Sequence, residues 1–443
     1  MPPFLIMVNR LNLNKTQYWL LPLLYFLVIL FATNRNYFLP VSQIPGIFCD
    51  VTQFNNYIIF KNSFFHLFHD VDLYKSFPNE QYDLFKYTPT FSLLFAFFAL
   101  LPNYVGLLLW NSLNVILPLI GMNRIFGLSK HKAIFSILFI PEVLTSVLNS
   151  QSNGLILGLL LLSFASMQNA QTTKAVFYIL LTVFIKLFGG LFFALFLLFP
   201  NQIKKAVLVS IPLFLFLFFL PCMLIDLDSL FQQYASYFSL LKNDGQQFMK
   251  YSIMGWLNAW FHFCPSKNIV IIIGLLLQLL PIIIVRVWNN QSKILYAMSI
   301  LIWIVIFNHM AESATYVIAV GAIFVALSTF DKMPQILWVL LIFMFLTTEL
   351  GPSDIYPKEL RIWIVDTAQL KAFPCILFWI AMLGYTFWGN RLKSTKNEFW
   401  FVHKKGPNCL GPLNVYFLLS LRPLSPPRSL SFLSGRSLGS LST

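Results

Sequence analysis

Acidic residues are concentrated in one stretch near the start of the chain, between two apolar runs. The stretch reads CDVTQFNNYIIFKNSFFHLFHDVDLYKSFPNEQYDLFKYT and carries five carboxylates together with His and Lys residues. A carboxylate in such a place can act as a general base, bind a metal ion or simply be solvated. The residues alone leave these roles open, although Asp70 and Asp72 have the spacing of a DxD motif. The five acids are Asp50, Asp70, Asp72, Glu80 and Asp83.

Two amides and one cation stand at the ends of later apolar runs. The tetrapeptide QSNG contains Gln151 and Asn153, whose side chains can orient sugar hydroxyls or only cap a helix. Lys186 lies in VFIKLFGG, between two apolar segments. An ionisable group inside a membrane segment usually marks a site or an anionic partner such as a lipid phosphate, or else it snorkels to the interface.

A further polar pair occurs in FNHMAES, at the outer end of a predicted span. His309 and Glu312 can form a buried ion pair, contact a substrate or act as a ligand pair.

No nucleotide-binding loop, GxSxG elbow or HExxH pattern occurs in a context that supports it. We therefore assign neither a cofactor nor a metal site.

The composition favours a lipid environment for the elements that must hold these residues. Of the 443 residues, 58% are hydrophobic and 10% are charged, and the mean hydropathy is +0.73. A soluble domain carries about 25% charged residues. The net charge is +14, but the basic residues are spread between apolar runs, as in loops that face anionic headgroups. We therefore predict the bilayer as a partner, and not nucleic acid.

Long apolar runs predict an all-α polytopic membrane protein with about 12 spans. Helices are favoured because each satisfies its own backbone hydrogen bonds in hydrocarbon. The shorter run 89–101 is predicted to be a helix at the interface, and the pair 175–187 and 188–200 to be two half-length helices. The predicted spans are 17–33, 103–122, 133–149, 154–169, 175–187, 188–200, 205–222, 268–285, 294–308, 314–330, 334–349 and 373–389.

Charge predicts the orientation and the domain organisation. Basic clusters such as Lys204-Lys205 fall on the same side as the N-terminus, which the positive-inside rule makes cytoplasmic. Nearly all acidic residues then face outward, so we expect the functional site on the outer face, in a plasma membrane. The predicted segments are a cytoplasmic N-terminus (1–16), a membrane domain (17–400) with a large first outer loop (34–88) and two more (223–267 and 350–372), and a disordered or aberrant tail (401–443).

Several motifs, taken in order, resemble the polyprenol-phosphate-dependent glycosyltransferases of family 87, which have the GT-C membrane fold. The resemblance runs from about residue 17 to about residue 400. It includes LYKSFPNEQYDLFKYTPTFSLLFAFFALLP, close to the family's LY…Y…YPP…P segment, and then LWN. QSNG follows where the family often has GQ, KLFGG where it has K-L-x-P, and NHMAES near an SP-type motif.

The resemblance implies inverting transfer of a sugar, typically mannose or arabinose, from a polyprenyl-phosphate donor to a lipid or glycan acceptor at the outer face. It implies an outer-loop carboxylate as general base, with Asp50, Asp72 and Asp83 as candidates. Basic residues would hold the leaving phosphate. Lys186 matches the family's lysine, and Lys75 and Lys86 flank the candidate acids.

The chain departs from the family pattern where the family's acid lies four residues before an aromatic. Alignment on Phe60 places Asn56 there, and an amide cannot act as a base. Asn56, Glu80, Gln151, Asn153, His309 and Glu312 are predicted as substrate contacts. Two alternatives remain open, namely a carrier or flippase for lipid-linked sugars and a catalytically inactive family member.

Overall fold

The described part of the protein is almost entirely helical. The computed structural model describes residues 20–126, 131–244 and 250–387. No β-strand occurs within these ranges, although Ser42 and Val51 form an isolated antiparallel bridge. All described residues belong to a unit that ends at Lys393. The predicted N-terminal segment 1–16 and the predicted tail 401–443 lie outside the described residues, as do 388–400 of the predicted membrane domain.

The α-helices are numbered here in chain order. They are α1 (Leu20–Phe38), α2 (Asn55–Phe68), α3 (Pro89–Leu94), α4 (Ala96–Ala99), α5 (Asn103–Phe126), α6 (Lys132–Leu138), α7 (Ile140–Leu148), α8 (Asn153–Gln168), α9 (Thr172–Ile185), α10 (Pro200–Phe219), α11 (Leu227–Asp244), α12 (Ile253–Phe261), α13 (Lys267–Ile284), α14 (Asn290–Ile306), α15 (Tyr316–Leu327), α16 (Gln335–Met344), α17 (Lys358–Ile362) and α18 (Phe373–Phe387).

Helices with exposed apolar surfaces make this a membrane protein. Four described stretches are long and apolar enough to cross a bilayer, namely Leu20–Phe38, Asn103–Ile125, Pro200–Met223 and Lys267–Ile284. In the most apolar part of Pro200–Met223, only 17% of the residues are buried inside the protein. Contiguous apolar surface of this extent is rarely left in water. The all-α membrane architecture agrees with the sequence prediction, while the total of about 12 spans stays a prediction.

The segments predicted as outer loops contain helices. Helix α2 lies within 34–88, α11 and α12 lie within 223–267, and α17 lies within 350–372. Helix α1 also continues to Phe38, inside the predicted first loop. These helices are amphipathic or polar, so a search for continuous apolar runs passes over them.

Two other segments differ from the prediction in detail. The run 89–101 forms α3 and α4 rather than one helix, and α3 begins with Thr88 as its N-cap and Pro89 in its first turn. The run 188–200 forms a 3-10 helix, Leu187–Leu198, instead of a half-length α-helix. Gly189 permits this close packing, because a Cβ there would lie 2.4 Å from Thr182 Oγ1 on α9.

Helices α8, α14 and α15 form the centre of the described bundle, where nearly every side chain is buried. Helix α8 packs tightly on α5 through two glycines. A Cβ on Gly154 would lie 2.1 Å from the carbonyl oxygen of Asn114, and one on Gly158 would lie 2.7 Å from the backbone of Leu117. Only glycine allows the two backbones to approach this closely. The contact fixes the first turn of α8, where the QSNG motif ends.

Candidate functional site

A cavity of about 290 Å³ is formed by segments that are far apart in the sequence. Its walls come from α2, the segment 83–87, the QSNG junction, the residues after α9, α11 and the connection between α14 and α15. Seven of the twelve residues predicted from the sequence line it: Asn56, Asp83, Lys86, Gln151, Lys186, His309 and Glu312. The cavity lining therefore combines two lysines (Lys86 and Lys186), two carboxylates (Asp83 and Glu312) and several neutral polar side chains.

A chain of hydrogen bonds crosses one wall of the cavity. Lys186 Nζ donates to Asn153 Oδ1 at 3.2 Å, and Asn153 Nδ2 donates to Gln151 Oε1 at 2.6 Å. Gln151 Nε2 in turn donates to the Glu312 carboxylate. All donors point the same way, from the cation through two amides to the carboxylate. Both amides are buried, so their orientation is set by the charged groups at the two ends.

Local backbone geometry explains why the QSNG junction presents its amides here. Helix α7 ends at Leu148, and Ser150 has a positive φ of 51° that turns the chain sharply. Helix α5 holds this turn from the side, since Trp110 Nε1 donates to Ser150 O at 2.8 Å. Leu155 N donates to Asn114 Oδ1 at 2.9 Å, which satisfies a backbone donor in the first turn of α8.

Lys186 lies at the end of α9, where the backbone becomes extended before the 3-10 helix. Its ammonium group is 5.2 Å from the centre of the Tyr87 ring, within the range of a cation–π contact. Tyr87 is held in place because its hydroxyl accepts a hydrogen bond from Ser152 at 3.2 Å. The cation therefore sits on an ordered aromatic wall and remains directed into the cavity.

Asp83 and Lys86 form a second charged group in the lining. Asp83 Oδ1 is 3.6 Å from Lys86 Nζ, and it accepts a hydrogen bond from Leu84 N at 2.7 Å. The Asp83 side chain is 51% exposed, so the carboxylate keeps solvent-accessible acceptor capacity. Glu312 differs, because its backbone also starts the short helix Ser313–Thr315: Glu312 N donates to Thr315 Oγ1 at 3.2 Å.

Five predicted site residues do not line the cavity: Asn153 contacts the lining residues Lys186 and Gln151, and the other four lie elsewhere. Asp72 accepts hydrogen bonds from Tyr74 N at 3.0 Å and Ser236 Oγ at 3.2 Å, so its carboxylate joins the segment between α2 and α3 to α11. Asp50 accepts from Gln43.

The other two are Glu80 and Lys75. Glu80 Oε2 lies 2.7 Å from Nε2 of the buried His66. Lys75 is exposed. These positions give no support to the predicted roles of Asp72, Asp50, Glu80 and Lys75 in this cavity.

Asn56 lines the cavity. It is the amide that stands where the family pattern has an acid. Its Nδ2 donates to Asn149 O at 2.8 Å, which ties α2 to the end of α7. One of its two N–H donors is therefore occupied, and the second N–H and the amide oxygen can face other partners. An oxygen of this kind can accept a hydrogen bond from a hydroxyl but cannot take its proton.

Sequence reasoning missed several groups around the cavity. Tyr87, Tyr237 and Asn308 line it, and burial together with the nearby Tyr234 and Tyr87 raises the pKa of Tyr237, so that its hydroxyl stays neutral. Tyr237 is on α11, in a segment predicted as a loop. The helical spacing of the aromatic residues in that segment would have predicted an amphipathic helix with one buried aromatic face.

A second buried polar group lies outside the cavity and was also missed. Lys371 Nζ contacts both Glu142 carboxylate oxygens, at 3.3 and 3.2 Å, and donates to Thr348 O at 2.9 Å. Both side chains are fully buried. The lone acid in the apolar run after α6, Glu142, was the sequence signal for this pair.

Within the described ranges, no group of three or more His, Cys, Asp or Glu residues is arranged to hold a metal ion.

Comparison with known proteins finds a family model that covers part of this cavity, although Asn56, Asp83, His309 and Glu312 lie outside the match. The family model described as Glycosyltransferase family 87 matches residues 85–307, about half of the chain. The match includes Lys86, Gln151, Asn153 and Lys186, and it ends just before His309. No curated protein matches the chain.

Proposed function

Because the chain belongs to glycosyltransferase family 87, we propose that it transfers a mannose-like sugar from a polyprenyl-phosphate donor to a hydroxyl of a lipid or glycan acceptor. The proposed site is the cavity that contains Asp83 and Lys186, on the non-cytoplasmic side of the plasma membrane. The observation that carries this proposal is the convergence of a partly exposed carboxylate and two lysines on one cavity.

Asp83 is the proposed general base among the three candidate acids, since it alone of them lines the cavity. Its carboxylate takes the proton of the acceptor hydroxyl as that oxygen attacks the anomeric carbon. The bond between the anomeric carbon and the phosphate oxygen breaks at the same time, and its electron pair leaves with the phosphate. Attack from the side opposite the phosphate inverts the anomeric centre.

Lys186 and Lys86 are the proposed partners of the donor phosphate. Negative charge on the bridging oxygen grows as the bond breaks, and fixed cations stabilise that charge without reorganising. A phosphate is a good leaving group, so this step needs no general acid. Tyr87 keeps the Lys186 ammonium in position from behind.

The neutral groups and Glu312 are the proposed sugar contacts. Gln151 and Glu312 are already hydrogen-bonded to each other, so they offer a fixed pair of acceptors to sugar hydroxyls. Asn56 and His309 line the same space. A site that matches hydroxyls by fixed hydrogen bonds rejects analogues that lack them, because buried polar groups would then be unpaired.

The proposal is tested by incubating the purified protein with polyprenyl-phosphate mannose and candidate acceptors. The expected products are free polyprenyl phosphate and a mannoside of inverted configuration, detected by mass spectrometry and NMR. Saturable donor binding without turnover would favour a carrier or an inactive family member instead. A carrier would move the intact donor between the leaflets of a vesicle, which separates these two alternatives.

A further inference from the structure

Helix α11 divides its surface into three faces with different chemistry. It begins at Leu227, and residues 224–226 link it to the apolar stretch Pro200–Met223. Its start is fixed because Ser229 N donates to Asp226 Oδ1 at 2.7 Å and Ser229 Oγ donates to Asp70 Oδ2 at 2.8 Å. The hydrogen bonds from Ser229 also lower the pKa of Asp226. A helix tied this closely to a membrane-crossing element starts at the membrane surface.

The first face packs on the protein. Gln233 Nε2 donates to Val71 O at 2.9 Å, and Gln233 Oε1 accepts from Leu73 N at 3.1 Å. One turn further on, Tyr237 is buried and lines the cavity. This face holds α11 against the outer segment that carries the acidic residues.

The second face is an apolar stripe that the described residues cover only in part, since the Phe231 ring lies 6.2 Å from that of Phe218. Leu227, Phe231 and Phe238 lie on one side of the helix, at positions i, i+4 and i+11, and each is more than half exposed. Leu241, one turn beyond Phe238, lies between the stripe and the cavity, since it is partly exposed and also lines the cavity. Tyr234, two turns after Leu227, is buried, and the exposed Ala235 lies between Phe231 and Phe238. The large exposed side chains thus share one side of the helix, unlike scattered surface hydrophobics.

The third face is polar and exposed. Asp228, Gln232 and Ser239 follow the apolar stripe around the helix and are open to solvent. Lys242 lies at the boundary between the stripe and this face, where a cation meets lipid phosphates. A helix with one apolar and one polar exposed face is suited to a plane in which oil and water meet.

We propose that α11 lies flat in the membrane interface, with Leu227, Phe231 and Phe238 inserted among the acyl chains of the leaflet on the cavity side. The partner is phospholipid of the surrounding bilayer, because α11 follows directly from a membrane-crossing stretch. Insertion of such a face reaches about 5–10 Å into the boundary between headgroups and acyl chains. Burial of the stripe fixes the height of the cavity relative to the leaflet.

The same helix also separates the leaflet from the cavity. Tyr237 and Leu241 line the cavity while Phe238, between them in sequence, faces outward. The leaflet and the cavity are thus separated by one helix, about 10–12 Å in diameter. This arrangement brings a lipid-borne substrate beside the cavity wall, a consequence that rests on the proposed function, whereas the membrane position of α11 does not.

The proposal is tested with nitroxide labels on single cysteines in lipid nanodiscs. The labels are introduced by Phe231→Cys and Phe238→Cys on the apolar stripe and by Gln232→Cys and Ser239→Cys on the polar face, in a variant whose native cysteines are replaced by alanine. We expect the ratio of collisions with oxygen to collisions with a water-soluble nickel chelate to be severalfold higher at 231 and 238 than at 232 and 239.

Equal nickel accessibility at all four positions would overturn the proposal. Labels at 231 and 238 that are shielded from both reagents and show dipolar broadening would instead place a second copy of the chain on the stripe. If the cysteine-free variant does not fold, photo-crosslinking in the native-cysteine protein decides. Benzoylphenylalanine at position 238 should give phospholipid adducts and at position 239 should not, and the absence of adducts at 238 would contradict the proposal.

Discussion

At the scale of single residues, Lys186 is the cation best placed to meet a phosphate. It donates to Asn153 and lies over the Tyr87 ring, so its position is fixed on two sides. Lys86 is paired with Asp83 at 3.6 Å. The two lysines thus have different partners, and we expect Lys186 to contribute more to donor binding than to proton transfer.

Replacement of Lys186 by Gln should raise the KM for the donor and lower kcat, because both the bound phosphate and its developing charge lose a cation. A loss of one charge-assisted contact of about 1.5–3 kcal/mol corresponds to roughly 10- to 150-fold in kcat/KM. Lys186→Arg should retain part of the activity. Steady-state kinetics at varied donor concentration measures both effects.

The matched control is Lys250→Gln, which removes an equally positive but half-exposed side chain outside the cavity lining. Its kinetics should match those of the unmodified protein. Equal losses in the two variants would point to a general effect of net charge and would contradict a local role for Lys186.

Asp72 and Asp83 show how far the sequence could go at this scale. Both lie in one acidic segment beside a lysine, so their types and spacing gave them equal standing. The fold separates them, because Asp72 bonds to Ser236, 164 residues away. Such a contact depends on how α11 packs, which no local pattern predicts. Lys186 and Gln151 were easier to find, since polar groups stand out in apolar surroundings.

At the scale of elements, the crossing of α5 and α8 sets the position of the QSNG junction. Gly154→Ala would put a methyl group 2.1 Å from the carbonyl oxygen of Asn114, a backbone atom that cannot rotate away. Overpacking of this kind costs about 1–3 kcal/mol. We expect a lower unfolding temperature and reduced transfer, measured by thermal unfolding in detergent and by the transfer assay.

The control for this substitution is Gly384→Ala in α18, where nothing lies within 4 Å of the added Cβ. An exposed alanine is a better helix former than glycine by about 1 kcal/mol. Gly384→Ala should therefore leave the unfolding temperature unchanged or raise it. A stable and fully active Gly154→Ala variant would show that the two backbones can separate without disturbing the cavity.

Elements with long apolar runs were predictable and amphipathic ones were not. Helices α13 and α14 lie within a few residues of their predicted spans, because hydrocarbon imposes a continuous apolar signal. Helices α2 and α11 were assigned to loops because polar residues interrupt their apolar runs. Only one side of each helix packs on the protein, so neither sequence is continuously apolar. The exposed stripe on α11 can be recognised only when the neighbouring elements are known, because the sequence alone does not show which apolar side chains they bury.

At the scale of the whole molecule, a buried ion pair joins distant parts of the described bundle. Lys371 precedes α18 and Glu142 is on α7, 229 residues earlier, and the Lys371 ammonium also lies 5.1 Å from the centre of the Tyr316 ring. Helix α7 leads directly into the QSNG junction. The pair therefore ties the last described helix to the element that ends at the cavity.

Removal of one partner should destabilise the fold strongly, because it leaves a buried charge without its counter-ion. We expect Glu142→Gln or Lys371→Met to lower the free energy of unfolding by about 3–5 kcal/mol. The double variant should lose less than the sum of the two single losses. Lys250→Met, which breaks the half-exposed pair with Asp366, should cost below about 1 kcal/mol. Equal, small losses in all variants would contradict a structural role for the buried pair.

The most direct test of the cavity as a transferase site compares Asp83→Asn with Asp72→Asn in the transfer assay. Loss of a general base should lower kcat by about 100- to 10,000-fold, while donor binding and the unfolding temperature stay close to those of the unmodified protein. Asp72→Asn keeps an acceptor oxygen for Ser236 and should remain active. Full activity of Asp83→Asn, or loss only in Asp72→Asn, would contradict the assignment of Asp83 as the base.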